Sequence, residues 1–206
     1  QITLQRLLFK ILMIELVFAS SNTNKIREVK KLLDDLPIKI LSFEDLDFKE
    51  EIHEPFNTIE ENARAKADFI FKKYGKNVFA DDTGLEIEAL NGEPGVKSAR
   101  YAGEPANSKN NIDLVLSKMK KTENRKAQFK TVIALILEGE YNFFEGIVKG
   151  SIIEEQLGSD GFGYDPIFKP KGYELTFSQM DINQKNQISH RGLAMKEFKE
   201  FIKSRF

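Results

Sequence analysis

Residues 78–84, VFADDTG, place the tightest constraint on what this chain can fold into. An apolar run of the kind that becomes a buried strand delivers two adjacent carboxylates, Asp81 and Asp82, to a Thr-Gly step. Two ionised carboxylates about 4 Å apart repel by roughly 4 kcal/mol at an effective dielectric near 20, so the fold must separate, neutralise or use them. Neighbouring side chains on a strand point to opposite faces, which lets one acid cap a turn at Thr83-Gly84 while the other reaches solvent. The alternative is a divalent cation, magnesium foremost, because hard cations take carboxylate oxygens and share them with substrate phosphates. Locally, both readings stay open.

With 206 residues the chain can bury about 70% of its unfolded surface, enough for one core or two joined lobes. Cysteine is absent and His53 and His190 are the two histidines. That excludes a disulfide framework, a thiolate zinc site, a cysteine nucleophile and a histidine-rich metal centre. A net charge of -1 provides no global basic field, so nucleic acid is not an expected partner and any anion must be held by local cations. The opening stretch, QITLQRLLFKILMIELVFAS, joins Arg6 and Lys10 to an apolar run in the manner of a signal peptide. Cleavage after Ala19 or Ser20 would remove a strand, however, and the run is too short and too charged to cross a bilayer. The expectation is a cytoplasmic protein without a membrane partner, with residues 1–12 as an N-terminal extension and residues 13–206 as a single two-lobed domain.

Strands are predicted at Ile14–Ala19, Ile38–Leu41 and Val78–Ala80, with two long ones at Ala127–Leu137 and Tyr141–Ile153 joined by Glu138-Gly139-Glu140, a hairpin signal. Helical spacing marks 24–36, where Ile26, Val29, Leu32 and Leu33 share a face, and 107–119 behind an Asn107 or Ser108 cap. Thr58 and Glu61 form a capping box for a helix ending at Gly75, and the last helix starts near Ser189. Helices alternating with strands early and an antiparallel hairpin later predict an α/β fold with a mixed, twisted sheet.

Four further segments carry candidate chemistry. Ser20, Ser21, Asn22 and Asn24 lie between a strand and a helix whose first turn holds Lys25. Such an N-terminus attracts anions, although plain N-capping explains Ser and Asn equally well. Lys66 reads locally as a solvated helix position with Asn62 as partner, and Glu50, Glu51 and Glu54 as a solvated acid cluster, any of which could complete a metal site with the acid pair. GSDGFGYDPIF surrounds Phe162 and Tyr164 with glycines, which suits either a tight turn with core aromatics or a platform for a flat ligand. Lys185, His190 and Arg191 cluster at a helix start, either as a surface basic patch or as donors to phosphate or ring carbonyls.

Taken together, NxxK after the first strand, the Asp-Asp-Thr-Gly-Leu block running into SARY, FGYDPIF, and SHRG before the last helix closely resemble the inosine triphosphate pyrophosphatase family, also called XTP/dITP diphosphatases. The similarity runs from about Ile14 to the C-terminus. It implies an elongated mixed-sheet α/β fold with two lobes around a nucleotide cleft, usually a homodimer. It also implies magnesium-dependent cleavage of ITP, dITP or XTP to the monophosphate and pyrophosphate, cleansing the nucleotide pool.

By the same resemblance, Ser20, Asn22, Lys25 and Lys66 contact the triphosphate, and Ser21 and Thr83 also bind substrate. Glu54, counted back from Glu61-Asn62-Ala63, and Asp82 hold the metal, with Asp81 supporting it through water and Asp82 as catalytic base. Phe162 stacks on the base, Gly163, Tyr164 and Asp165 shape its pocket, and Lys185, His190 and Arg191 hold base and phosphates. The chain departs from the family pattern at Thr83, often Ser in relatives, and at 53–58, which lacks a Glu-Thr-Gly run. Residues 1–12 have no counterpart. The rival readings are a Maf-type nucleotide pyrophosphatase, against which NTNK argues, and a non-catalytic nucleotide-binding module, which would need no acid pair.

Overall fold

The computed structural model describes residues 13–205, so the expected extension at residues 1–12 lies outside the described residues. Strand β1 (Ile14–Phe18) leads into α1 (Thr23–Leu32), β2 (Ile38–Leu41), α2 (Ile59–Tyr74), β3 (Val78–Ile87) and the short β4 (Pro94–Gly95). Then come α3 (Ser108–Lys118), the long hairpin β5 (Lys126–Leu137) and β6 (Glu140–Ile152), β7 (Phe168–Pro170), α4 (Ile182–Ile188) and α5 (His190–Arg205). The strands form one seven-stranded sheet in the order β2-β1-β3-β5-β6-β7, with β4 on β3. β1 pairs in parallel with β2 and β3, and the remaining pairings are antiparallel, so the sheet is mixed, as expected.

Local chemistry explains most boundaries. Thr58 accepts the Glu61 N–H at 3.2 Å and its hydroxyl donates to the Glu61 carboxylate at 2.7 Å, a variant of the capping box. Gly75, at φ 62°, closes α2 in the left-handed conformation that glycine adopts without strain. In the hairpin, Glu138 (φ 53°) and Gly139 (φ 84°) form the two-residue left-handed turn that matches strand twist. Helix α1 ends at Leu32, short of the expected Leu36, because Asp34 and Asp35 would put carboxylates at the negative end of the helix dipole.

The predicted turn at Thr83-Gly84 is not there. β3 runs unbroken to Ile87, with Asp81 opposite Ile133, Asp82 opposite Val132 and Gly84 opposite Lys130 of β5. Gly84 is needed for closeness, since a Cβ there would stand 2.7 Å from the Gly95 carbonyl oxygen and 2.9 Å from Ile59 Cδ1. Glycine therefore admits β4 and α2 onto the strand.

Among the described residues, three apolar clusters form the core. Phe18, Phe79, Leu135 and Phe198 lie on one face of the upper sheet beneath α1 and α5, and Val17, Ala80, Ala134 and Ile70 on the other beneath α2. Leu85, Ile87, Phe129, Phe168, Phe177 and Met119 form the third, toward the other end of the long strands. Along β3 the apolar contacts stop after Ala80 and resume at Leu85, so Asp81, Asp82 and Thr83 occupy the waist between two cores.

Candidate active site

A cleft of about 1370 Å³ opens at that waist, beyond the C-terminal end of β1, where ligands of parallel α/β sheets usually bind. It is lined by Ser20, Ser21, Asn22 and Lys25 on one side, Glu54, Lys66, Asp82 and Thr83 on a second, and Phe162 to Asp165 with Lys185, His190 and Arg191 on a third. Of the expected site residues, Asp81 alone is behind this lining. A smaller recess of about 770 Å³, lined by Lys126, Lys149 and Lys169 among others, lies at the far end of the long strands. None of its charged side chains is buried.

Strand geometry splits the acid pair. Asp81 is 1% exposed, receives Lys25 Nζ on Oδ1 at 3.0 Å and Arg191 Nε on Oδ2 at 3.1 Å. Burial alone would raise its pKa, but Lys25 and Arg191 outweigh that and hold the carboxyl well below the usual carboxylate range. Asp82 is 8% exposed, and its nearest cation, Lys66 Nζ, stands 3.5 Å from Oδ1. Its Oδ2 is buried without a hydrogen-bond partner among the described residues. Burial raises the Asp82 pKa, the attraction of Lys66 and Lys25 opposes this, and Glu54 pushes it further up.

Lys66 leaves the solvated face predicted for it and points into the cleft, ion-paired with Glu54 as well as with Asp82. Burial depresses its pKa, but Asp82 and Glu54 more than reverse this, so it stays a cation. Asn62, its expected partner, instead ties the loop ahead of α2 by bonding both the N–H and the carbonyl of Phe56. Among the three glutamates of the acid cluster, Glu50 pairs with Lys73 and Glu51 with Arg100, both on the surface, and Glu54 is the one linked to Asp82 through Lys66. Asp82 Oδ2, an anionic oxygen without a partner among the described residues, is a ligand type suited to a hard cation, and Glu54, joined to Asp82 through Lys66, supplies a second carboxylate. No group of three or more His, Asp or Glu side chains converges on one point among the described residues, so the protein itself offers only part of a coordination shell.

The first helix brings capping and cationic groups together. Asn22 Oδ1 accepts the N–H groups of Asn24 at 3.0 Å and Lys25 at 3.2 Å, and Ser20 Oγ accepts that of Asn22 at 3.2 Å. Capping thus occurs as the plain reading held, while the Lys25 side chain turns toward Asp81 at the floor of the cleft.

Of the two readings left open for the C-terminal motif, the surface patch fails. Lys185 is 4% and Arg191 2% exposed. Lys185 Nζ donates to Glu28 and Asp165, both at 2.8 Å, while Arg191 donates to Glu28 at 2.6 Å, Asp81 at 3.1 Å and Thr83 Oγ1 at 3.3 Å. Both cations also lie under Phe162, 4.8 Å and 5.6 Å from the ring centroid, which fixes the ring by cation–π attraction. Asp165 accepts the Phe162 N–H at 2.7 Å, and Tyr164 is a core residue whose hydroxyl donates to the Ser98 carbonyl at 2.8 Å. His190 stacks on Phe129 at 4.4 Å, and burial, then Arg191 and Lys185, push its pKa well down, so the imidazole is neutral.

Glu28 is the residue that sequence reasoning missed. It is buried on α1 and joins Lys185 to Arg191, and those two cations keep its pKa low against the opposing effect of burial. One signal was available: Glu28 falls beside Val29 on the face whose other members are apolar, where a charge needs a partner. Arg100 was also missed. It pairs with Glu104 at 2.7 Å and reaches Glu54 at 3.7 Å.

Comparison with known proteins gives the family. A model described as the Ham1 family matches residues 16–201. The chain belongs to that family. A protein named dITP/XTP pyrophosphatase from Flavobacterium psychrophilum is 51% identical over 190 residues, covering 92% of this chain and 100% of the relative. One of the same name from Bacillus subtilis is 42% identical over 197 residues, 94% and 100% of the two chains. The solved structure of the Staphylococcus aureus Ham1 protein superposes with a TM-score of 0.85 at 40% identity, over 93% of this chain and 100% of that one. A HAM1 protein from Coxiella burnetii gives 0.86 at 38% identity with the same coverage. The resemblance drawn from the four sequence motifs is therefore a true family relationship, and this Ham1 chain carries the family's mixed α/β fold.

Proposed function

We propose that this chain hydrolyses purine nucleoside triphosphates with unusual bases, dITP and XTP first and ITP with them, to the monophosphate and pyrophosphate. The observation that carries the reading is the inequality of the acid pair: Asp82 lines the cleft and has one oxygen without a partner among the described residues, while Asp81 behind it anchors Lys25 and Arg191. The names of its relatives, dITP/XTP pyrophosphatase, support the substrate class.

Asp82 and Glu54 would hold Mg²⁺, with substrate oxygens and water completing the shell, and the bound ion would supply Lewis-acid polarisation of the phosphates. Asp82 orients the attacking water and accepts its proton. The water oxygen then bonds to the α-phosphorus as the α–β anhydride bond breaks and pyrophosphate departs. Lys25 and Lys66 neutralise charge on that leaving group. Phe162, clamped from below by two cations, offers a rigid face for the base. Hypoxanthine and xanthine present an O6 acceptor where adenine carries an amino group, so a donor in the base pocket would select for the first two and be left unpaired by adenine. A homodimer working in the cytoplasm completes the reading.

The test is to incubate the purified chain with Mg²⁺ and dITP, XTP, ITP, GTP, ATP or dTTP and to measure pyrophosphate and orthophosphate separately. Pyrophosphate and monophosphate should form from the first three. Orthophosphate as the first product, or preference for dTTP, would overturn the assignment.

A further inference from the structure

Thr83, Thr131 and Gly146 face one another across β3, β5 and β6 as a single rung of the sheet. Thr131 is 0% exposed, and neither it nor Gly146 lines the cleft. The rung nevertheless reaches the site twice. Thr131 Oγ1 and Thr83 Oγ1 share a hydrogen bond of 2.7 Å, and Thr83 Oγ1 accepts the Arg191 NH2 group at 3.3 Å. At the other end of the rung, a Cβ on Gly146 would collide with the His190 carbonyl oxygen and stand 2.7 Å from the Ala194 nitrogen. The bare glycine lets the first turn of α5, which carries His190 and Arg191, settle directly on β6.

Arg191 has three acceptors, and they are not equivalent. Asp81 and Glu28 are buried behind the cleft lining, while Thr83 is part of it. The NH2 group is thus the guanidinium nitrogen bonded to a residue of the cleft lining. The bonds to Asp81 and Glu28 set the plane of the guanidinium, Thr83 accepts from its third nitrogen, and the rotation of that hydroxyl is free unless a second partner fixes it. Thr131 is that second partner.

We infer that Thr131 and Gly146 are positioning residues for the purine nucleotide: Thr131 locks the Thr83 hydroxyl so that Arg191 presents NH2 to the cleft, and Gly146 sets the height of the helix start that carries it. The effect on substrate rests on the function proposed above, whereas the effect on Arg191 does not.

Both can be read in Thr131→Val, which keeps shape and removes the hydroxyl, Thr131→Ser, which keeps the hydroxyl, and Gly146→Ala. The readouts are ¹⁵N-edited NMR of the Arg191 side-chain N–H signals without substrate, and kcat and KM for dITP by pyrophosphate release. Thr131→Val should shift or broaden the Arg191 signals and raise KM about fivefold to tenfold, the worth of one hydrogen bond, with kcat within about twofold of the parent. Thr131→Ser should restore both, and Gly146→Ala should disturb signals from His190 and Arg191 together. Parent-like Arg191 signals in Thr131→Val, or a serine variant as impaired as the valine one, would overturn the inference. If the parent released no pyrophosphate from dITP, the proposed function would fail while the arginine signals still decided the role of Thr131.

Discussion

Asp81 and Asp82 are neighbours in the chain and opposites in the fold. Behind the cleft, Asp81 belongs to a closed network in which Lys25, Arg191, Glu28, Lys185 and Asp165 satisfy one another at 2.6 to 3.1 Å. In front of it, Asp82 shares a single cation with Glu54 and leaves one buried oxygen unpartnered. The same residue type, one strand position apart, is pushed down in pKa on one side and up on the other. A buried charge that is fully paired is scaffold, because removing one partner leaves the rest uncompensated. A buried charge left short of partners is poised to take a proton or a cation, and folds keep such groups where chemistry is done.

The contrast is sharpest in a pair of isosteric variants. Asp82→Asn removes the base and a metal ligand together, and should lower kcat for dITP roughly ten-thousandfold, about 5 kcal/mol on the barrier. Because the native carboxylate is under-satisfied, thermal stability at neutral pH should be unchanged or higher. If Asp82→Asn instead unfolds more easily than the parent, Asp82 belongs to the scaffold. Asp81→Asn should do the reverse to stability, costing about 3–5 kcal/mol in urea unfolding by stranding Lys25 and Arg191 in the interior. If it unfolds at the parent's midpoint, the network behind the cleft is not what holds the waist together.

The acid side of the network can be followed with pH. Glu28 has a folded pKa below its unfolded value, so its stabilisation is fully present above about pH 4.3 and is lost as pH falls through the lower folded value. Glu28→Gln should therefore be destabilised at pH 7 by about 3 kcal/mol, and the gap from the parent should close as both are titrated toward pH 3. A gap independent of pH would mean that Glu28 acts through packing alone.

These two regions were unequally legible in the sequence. Element types were readable because apolar spacing, the Thr58 cap, Gly75 and the Glu138-Gly139 turn are local signals, and local signals survive into the fold. The Thr83-Gly84 turn was misread because Gly84 answers a tertiary demand, the approach of Gly95 and Ile59, that leaves no trace nearby in the sequence. Lys66 looked like a surface residue, and Lys185 and Arg191 stayed open between a surface patch and ligand donors, for a similar reason. Their partners lie 12 to 163 residues away, and only the sheet brings them together. The order of motifs identified the family without any of these contacts. It could not show that Asp81 faces Lys25 and Arg191, nor that Glu28 links the two cations of the last motif.

The smallest effect tests where the two regions meet. Asn22 caps the helix that carries both Lys25 and Glu28, so it serves the network, yet it also lines the cleft, where a triphosphate would meet it. Asn22→Ala removes the acceptor for the Asn24 and Lys25 N–H groups and should cost about 1 kcal/mol of stability, the usual worth of a cap. Asn22→Asp retains the acceptor and adds a charge that the helix dipole favours, so its stability should match the parent's. The same added charge would face the phosphates and should raise KM for dITP severalfold, an effect that weakens as salt is added because surface charges are screened. If the aspartate variant keeps both stability and KM, the N-terminus of α1 is a cap and nothing more, and Lys25 and Lys66 hold the triphosphate without it.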